Sequence, residues 1–179
     1  MILASGSGTT AQALLDADLP AHIVAAGTDV PGCRAMSRAA AASVPTFSIA
    51  PGDYPDRGAW NLALGDAIAG FAPDLVVLAG FMRILGPDVV RRFRIVNTHP
   101  ALLPAFPGAH ALRDALAAGV ATTGVTVHWV DEGVDSGPVI AQTAVPIEAG
   151  DTEDSLRVRV QAVERPLLVE TIAALCKEF

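Results

Sequence analysis

Leu75-Val76-Val77-Leu78 is an unbroken apolar run held between Pro73-Asp74 and Ala79-Gly80. A strand with one wet face alternates apolar and polar residues. A continuous run marks a strand covered on both faces, the environment of a parallel sheet. The chain around it alternates strand and helix patterns as such a sheet requires. Met1 to Ala4 reads as a strand cut short, His22 to Gly27 as a second, Val44 to Ile49 as a third and Phe93 to Val96 as another. Helical patterns lie between them. One contains Leu14 and Leu15, a second runs from Ala35 to Ser43, and Trp60 to Phe71 carries Trp60, Leu64 and Ile68 on one stripe. That spacing marks a helix facing a core. Pro51-Gly52-Asp53-Tyr54-Pro55-Asp56 is a loop by its turn chemistry.

The second half continues the pattern with one change. Ala111 to Ala118 reads as a helix ended by Gly119. Thr122 to Val130 alternates, with Val125, Val127 and Trp129 on one face and Thr126 and His128 on the other. Val139 to Val145 follows after a short connection, so these two strands are expected to be antiparallel neighbours. The last helix opens at Gly150-Asp151-Thr152, with Asp or Thr as its cap. Its stripe is Leu156, Val160, Val163, Leu167, Leu168, Ile172 and Leu175, and Pro166 is expected to kink or divide it. No linker, repeat or low-complexity stretch interrupts the chain. The expectation is an α/β fold: one doubly wound, mostly parallel sheet in a single domain over residues 1–179. An antiparallel strand pair lies toward the C-terminal part, followed by a long C-terminal helix.

A chain of 179 residues with 51% hydrophobic content can bury a sizeable core. Its formal net charge of −7 argues against a nucleic-acid partner, whose footprint is basic. It does not exclude one small phosphate ligand, because local donors decide that. Cys33 and Cys176 match no metal spacing and read as free thiols of a reducing compartment. The first residues lack the basic region and long apolar core of a signal peptide, and the apolar runs are too short to span a bilayer. The expected place is the cytoplasm, away from membranes.

Three stretches carry chemistry. Ser5-Gly6-Ser7-Gly8-Thr9-Thr10 links a strand to a helix. Such a turn exposes backbone N–H groups at a helix N-terminus and can hold a phosphate; equally, its Ser or Thr can merely cap the helix. It is neither a dinucleotide fingerprint nor a Walker loop, since Ala11 holds the last glycine position and Gly-Lys-Ser/Thr is absent. Asn97-Thr98-His99 lies where a strand should end, and residues two apart share a face, so both polar side chains can enter one pocket. Asp135 sits in the turn-rich run Asp131 to Pro138, where a carboxylate is either a turn former or an imidazole partner.

The stretch Asn97-Thr98-His99-Pro100-Ala101-Leu102-Leu103-Pro104, followed by Phe106-Pro107-Gly108-Ala109-His110, resembles the formyltransferase family that uses 10-formyltetrahydrofolate. Ala4-Ser5-Gly6-Ser7-Gly8, Leu78-Ala79-Gly80-Phe81-Met82-Arg83-Ile84-Leu85 and Asp135-Ser136-Gly137-Pro138 match in the family's order, so the resemblance covers nearly the whole chain. It implies a Rossmann-like formyltransferase fold and direct transfer of a formyl group to an amine through a tetrahedral intermediate. The Phe106-to-His110 segment is most similar to the branch whose acceptor is glycinamide ribonucleotide, a step of purine biosynthesis. The resemblance implies a catalytic trio of Asn97, His99 and Asp135. It assigns Gly8, Thr9, Thr10, Pro100, Gln161 and Glu164 to the ribonucleotide. Phe81, Met82, Arg83, Ile84, Leu85, Glu132, Val134 and Asp135 go to the folate. His110 and His128 support the site, and no metal is implied. The N-terminal half then holds the phosphate site, and the C-terminal half the folate site and catalytic residues. The partners implied are small molecules, acting on a monomer or homodimer.

The chain departs from the family pattern at Ala101, usually Ser, and at Thr9-Thr10, often Ser-Asn. It also departs around Ala162-Val163-Glu164-Arg165-Pro166, where a solvated helix face remains the alternative for Gln161 and Glu164. Three other functions are weighed. A methionyl-tRNA formyltransferase needs a second, basic domain that 179 residues at −7 do not provide. A formyltetrahydrofolate hydrolase usually carries a regulatory domain before this core. A noncatalytic nucleotide-binding module explains Ser5 to Thr10 but leaves Asn97, His99 and Asp135 without a purpose.

Overall fold

The computed structural model describes residues 1–178. Among the described residues there are seven strands: β1 (Ile2–Leu3), β2 (Ala26–Thr28), β3 (Thr46–Ser48), β4 (Val76–Leu78), β5 (Ile95–His99), β6 (Thr122–Trp129) and β7 (Val139–Pro146). They form one sheet in the order β3-β2-β1-β4-β5-β6-β7. The first five strands in that order pair in parallel. β6 runs antiparallel to both β5 and β7. The order reverses direction at β1, so the chain leaves β1 and β4 in opposite senses and a crevice opens between their carboxyl ends.

Six helices cover the sheet: α1 (Thr9–Asp16), α2 (Arg34–Ala41), α3 (Arg57–Ala69), α4 (Pro87–Arg92), α5 (Ala111–Ala117) and α6 (Glu153–Leu175). Strand alternation distributes side chains to two faces. Ile2, Ala26, Val77, Val96 and Val127 pack with Leu14, Met36, Leu168 and Ile172 of the helices on one face. Leu3, Val76, Leu78 and Ile95 pack with Trp60, Leu64, Ile68 and Val89 on the other. A third cluster joins Leu112 of α5 and Val125 and Val145 of the antiparallel strands to Leu156 and Val160 of α6. The apolar run at 75–78 is thus buried on both faces, as its composition demands. Among the described residues, no helix is long and apolar enough to cross a membrane.

Several boundaries differ from the sequence reading. β2 begins at Ala26, which pairs with Ile2, so His22 to Ala25 precede the ladder. β5 does not stop at Val96: antiparallel pairing with β6 sets Asn97 opposite His128 and His99 opposite Thr126, which carries the strand through both polar residues. α4, absent from the sequence reading, starts on Pro87 after Gly86 and ends on Arg91 and Arg92. A 3₁₀ turn at Pro51–Asp53 lies in the expected loop. Pro166 does not divide α6, which continues from Glu153 to Leu175. Val160 before the proline and Leu168 and Ile172 after it are all buried. That packing outweighs the one hydrogen bond the proline removes. Thr152 caps α6, with its hydroxyl accepting from the Ser155 N–H.

Gly124 shows how the loop after β5 is fixed to the sheet. A Cβ at this position would lie 2.4 Å from the Thr143 carbonyl oxygen and 2.5 Å from Cδ2 of Leu102. Next to it, the buried Thr126 hydroxyl donates to Ala101 O at 2.7 Å and accepts from Leu103 N–H at 3.1 Å. Gln142 Nε2 donates to Leu103 O at 2.8 Å from the neighbouring strand. Gly124→Ala is therefore expected to destabilise the protein by about 1–3 kcal/mol, the usual range for overpacking. Thermal unfolding checks this: a melting temperature several degrees below wild type is expected, and an unchanged one would contradict the close approach.

Candidate active site

The turn after β1 is held in place by its neighbours. Gly8 has φ 71°, and a Cβ there would meet Ala35 Cα at 2.5 Å, so only glycine fits both the backbone and the packing. Ala35 N–H donates to Gly6 O at 3.1 Å, and Arg38 Nε donates to Ser7 O at 3.0 Å. Gly8 is also the N-cap of α1, and no side chain caps that end. The first N–H groups of the helix are thus left without a side-chain acceptor, an arrangement that can hold an anion. The Thr10 hydroxyl does not join them. It is buried and donates to Glu164 Oε1 at 3.1 Å.

A cavity of about 200 Å³ lies against this turn. Gly8, Thr9, Thr10, Pro100, Gln161 and Glu164, the six residues that the family resemblance implies for the ribonucleotide, all line it. Met82 and Thr98 line it too, which brings the loop after β4 and strand β5 to the same space. Burial pushes the Glu164 carboxyl above its ordinary value, against the opposing effects of the Thr10 hydrogen bond and the Arg165 charge. Arg157 adds a cation to the lining that the sequence reading missed. Its signal was available: Arg157, Gln161 and Glu164 fall at i, i+4 and i+7 on one helix face.

Asp135 is the centre of the polar cluster beside this cavity. Its Oδ2 lies 3.3 Å from His99 Nδ1 and accepts from the Gly108 N–H at 2.8 Å. Its Oδ1 lies 3.6 Å from His128 Nε2, an ion-pair distance, and 3.5 Å from Asn97 Nδ2. Burial by itself would raise the Asp135 carboxyl. The polar contact with His128, the Gly108 N–H and the charges of both imidazoles outweigh that and hold it below the usual carboxylate range. Asp135 has φ 52°, a left-handed backbone that Asp tolerates better than most residues. The catalytic trio of the sequence reading is thus brought together.

The two histidines are held differently. His128, 2% exposed, has Nδ1 at 2.9 Å from Trp129 O and Nε2 at 3.2 Å from Asn97 Nδ2. Nδ1 thus has the Trp129 carbonyl as acceptor, while Nε2 faces both the Asn97 amide and the Asp135 carboxylate. His99 has acceptors on both sides: Asp135 at Nδ1, and the Phe106 carbonyl 2.8 Å from Nε2. Phe106 has φ 53°, an uncommon conformation for a bulky residue, and so presents its carbonyl from a strained backbone. The sequence reading let Asn97 and His99 enter one pocket, and the structure brings both to Asp135. The His99 ring is buried, with Nε2 against Phe106. His110 is apart from the cluster, exposed at the N-cap of α5.

The residues assigned to the folate divide by exposure. Phe81 and Leu85 turn inward and pack with Leu78, Val89 and Ile95. Met82, Ile84 and Val134 are exposed apolar side chains around the crevice. Glu132 pairs with Arg91 at the surface, Nε to Oε1 at 2.7 Å. Arg83 lines a second cavity of about 260 Å³ together with Tyr54, Arg57 and Trp60. Its Nε donates to the buried Asp29 at 2.8 Å, and Arg57 Nη2 donates to Ile84 O. Neither Asp29 nor Arg57 stood out in the sequence. Among the described residues, no group of three His, Cys, Asp or Glu is arranged to hold a metal ion.

The chain is similar to known proteins in sequence and in fold. The formyl transferase family model matches residues 1–172. The phosphoribosylglycinamide formyltransferase of Mycobacterium tuberculosis (strain CDC 1551 / Oshkosh) is 54% identical over 180 residues, spanning 98% of this chain and 83% of that protein. The protein of that name from Escherichia coli (strain K12) is 38% identical over 182 residues, spanning 97% and 86%. The crystal structure of glycinamide ribonucleotide transformylase 1 from Symbiobacterium toebii superposes with a TM-score of 0.96 at 41% identity, over 99% of this chain and 86% of that one.

The Glu164 carboxyl gives the cavity a pH signature. A carboxyl whose folded value is raised destabilises the fold when ionised; the penalty starts above the unfolded value and is complete above the folded one. Glu164→Gln is therefore expected to raise the melting temperature near pH 8 and to lose that advantage below pH ~4. Melting curves across this range check it. A variant less stable than wild type at pH 8 would contradict the burial argument.

Proposed function

This chain belongs to the formyl transferase family, and we propose that it moves the formyl group of 10-formyltetrahydrofolate to the amine of glycinamide ribonucleotide. The products are formylglycinamide ribonucleotide and tetrahydrofolate. The observation that carries this reading is a cluster of amide, imidazole and ionised carboxylate beside a cavity whose other wall is an anion cradle. The cradle suits the phosphate of the acceptor. Gln161 and Glu164 suit its ribose hydroxyls or ammonium. A folate donor also carries a carboxylate-bearing glutamyl tail, and Arg57 and Arg83 supply two guanidinium groups to the adjoining cavity.

The acceptor amine attacks the formyl carbon, a C–N bond forms, and negative charge develops on the formyl oxygen. Asn97 Nδ2 and His99 offer N–H donors to that oxygen; one such donor is typically worth about 3 kcal/mol in the barrier. The formyl oxygen competes with the Phe106 carbonyl for His99 Nε2. Asp135 holds the other ring nitrogen, favours a proton on it and offers a carboxylate to the proton that the amine nitrogen must lose once the C–N bond has formed, directly or through a water. The bond to folate N10 then breaks, and the proton lost by the amine ends on that nitrogen. The step needs no covalent enzyme intermediate. Two free thiols, Cys33 and Cys176, fit a cytoplasmic setting.

If Asp135 works through His99, the two residues should behave as one unit. His99→Ala and Asp135→Asn are each expected to lower kcat by about 10²–10⁴-fold, the range for general acid–base groups, with a much smaller change in KM. The double variant is expected to be scarcely slower than His99→Ala alone. Steady-state kinetics of formyl transfer to glycinamide ribonucleotide measure all four proteins. Losses that multiply would show that Asp135 acts independently. A folded wild-type protein that forms no formylated ribonucleotide would overturn the proposed function.

A further inference from the structure

Asp29 is a buried carboxylate that the proposed reaction does not use. It follows β2 directly, its side chain is 1% exposed, and its ion-pair partner Arg83 is 50% exposed. Oδ2 accepts from Arg83 Nε at 2.8 Å, and Oδ1 accepts from the Ser5 hydroxyl. The Ser5 oxygen accepts in turn from the Met82 N–H at 2.8 Å, and the Ser5 N–H donates to Gly80 O at 3.0 Å. One carboxylate therefore ties together the carboxyl ends of three adjacent strands, β2, β1 and β4. It joins the turn that leads into the anion cradle to the loop that separates the two cavities.

A buried ion pair is a poor device for stability alone, because desolvation offsets the attraction and apolar replacements are often neutral or better. Here the geometry gives the pair another use. The arginine partner is half in water and lines the cavity beside Met82 to Leu85, so the carboxylate fixes where a guanidinium stands in the site. Through Ser5 it also fixes a backbone N–H of the same loop. We propose that Asp29 is a positioning residue for the formyl donor. It sets the loop at 80–85 in its binding conformation through Arg83 and through the Ser5–Met82 link, and couples that loop to the ribonucleotide turn. This rests on the donor assignment made above. Asp29 touches no reacting atom in this arrangement, so it acts on donor affinity and leaves the chemical step alone.

Asp29→Asn keeps the shape and can still accept from Ser5, but it removes the charge that holds Arg83. The donor KM is expected to rise about tenfold, in line with the loss of one charge-assisted hydrogen bond. kcat is expected to stay within about twofold, and the ribonucleotide KM to move less than the donor KM. Arg83→Gln is expected to raise the donor KM as well, and adding Asp29→Asn to it should raise the KM little further, because the first residue acts mainly through the second. Ser5→Ala cuts the other branch and should raise the KM of both substrates. A wild-type donor KM in Asp29→Asn, a change confined to kcat or to melting temperature, or losses that multiply with Arg83→Gln would each overturn the proposal. If Asp29→Asn does not fold, Ser5→Ala decides, and a wild-type donor KM there overturns it. Calorimetric titration with tetrahydrofolate separates this test from the proposed function. Wild type that binds tetrahydrofolate but forms no product overturns the acceptor assignment, and the affinity ratio to Asp29→Asn still tests Asp29. Wild type that binds no tetrahydrofolate overturns both.

Discussion

A carboxylate placed between two buried imidazoles and an amide organises this molecule's polar centre. Asp135 comes from the loop joining β6 to β7, while Asn97 and His99 come from β5 and His128 from β6. An ionised group in such a position must be surrounded by donors, or its burial becomes prohibitive. The donors arrive by several routes. The antiparallel register sets Asn97 opposite His128, and the Gly108 N–H reaches Asp135 from the loop after β5. That loop is in turn fastened to the sheet by Thr126 and Gln142. A shift of one residue in the β5–β6 pairing would put His128 on the opposite face of the sheet from Asn97.

The parallel half of the sheet has a different task. Its strands are short, and their side chains alternate between two apolar clusters, so the strands themselves offer little polar surface. Chemistry is confined to the carboxyl ends, where Ser5, Asp29 and Gly80 to Arg83 meet. The reversal of strand order at β1 opens the crevice there, and the two cavities lie on either side of the Met82–Arg83 segment. The proposed acceptor and donor pockets would thus share the Met82–Arg83 segment as a wall, which suits a transfer between two bound molecules without a covalent carrier.

Much of this was legible in the sequence because it rests on local signals. The run at 75–78, the Trp60, Leu64 and Ile68 stripe, the Gly119 stop and the Thr152 cap each depend on neighbours in the chain. What stayed hidden depends on partners far away. β5 extends to His99 because β6 pairs with it, and nothing in Asn97-Thr98-His99 announces that. Pro166 is tolerated because apolar residues on both sides of it are buried. The Thr10 hydroxyl has its partner in Glu164, 154 positions along the chain. Asp29 did not stand out, since its partners Ser5 and Arg83 lie 24 and 54 positions away. α4 was passed over for another reason: at six residues it is too short for periodicity to register.

The central claim is that one polar cluster and two adjoining cavities carry formyl transfer from a folate to an amine. Following tetrahydrofolate release from 10-formyltetrahydrofolate, with and without glycinamide ribonucleotide, tests it most directly. The account requires release that depends on the ribonucleotide and matches formylated product one for one. Release at the same rate without the amine would show that water is the acceptor and would contradict it.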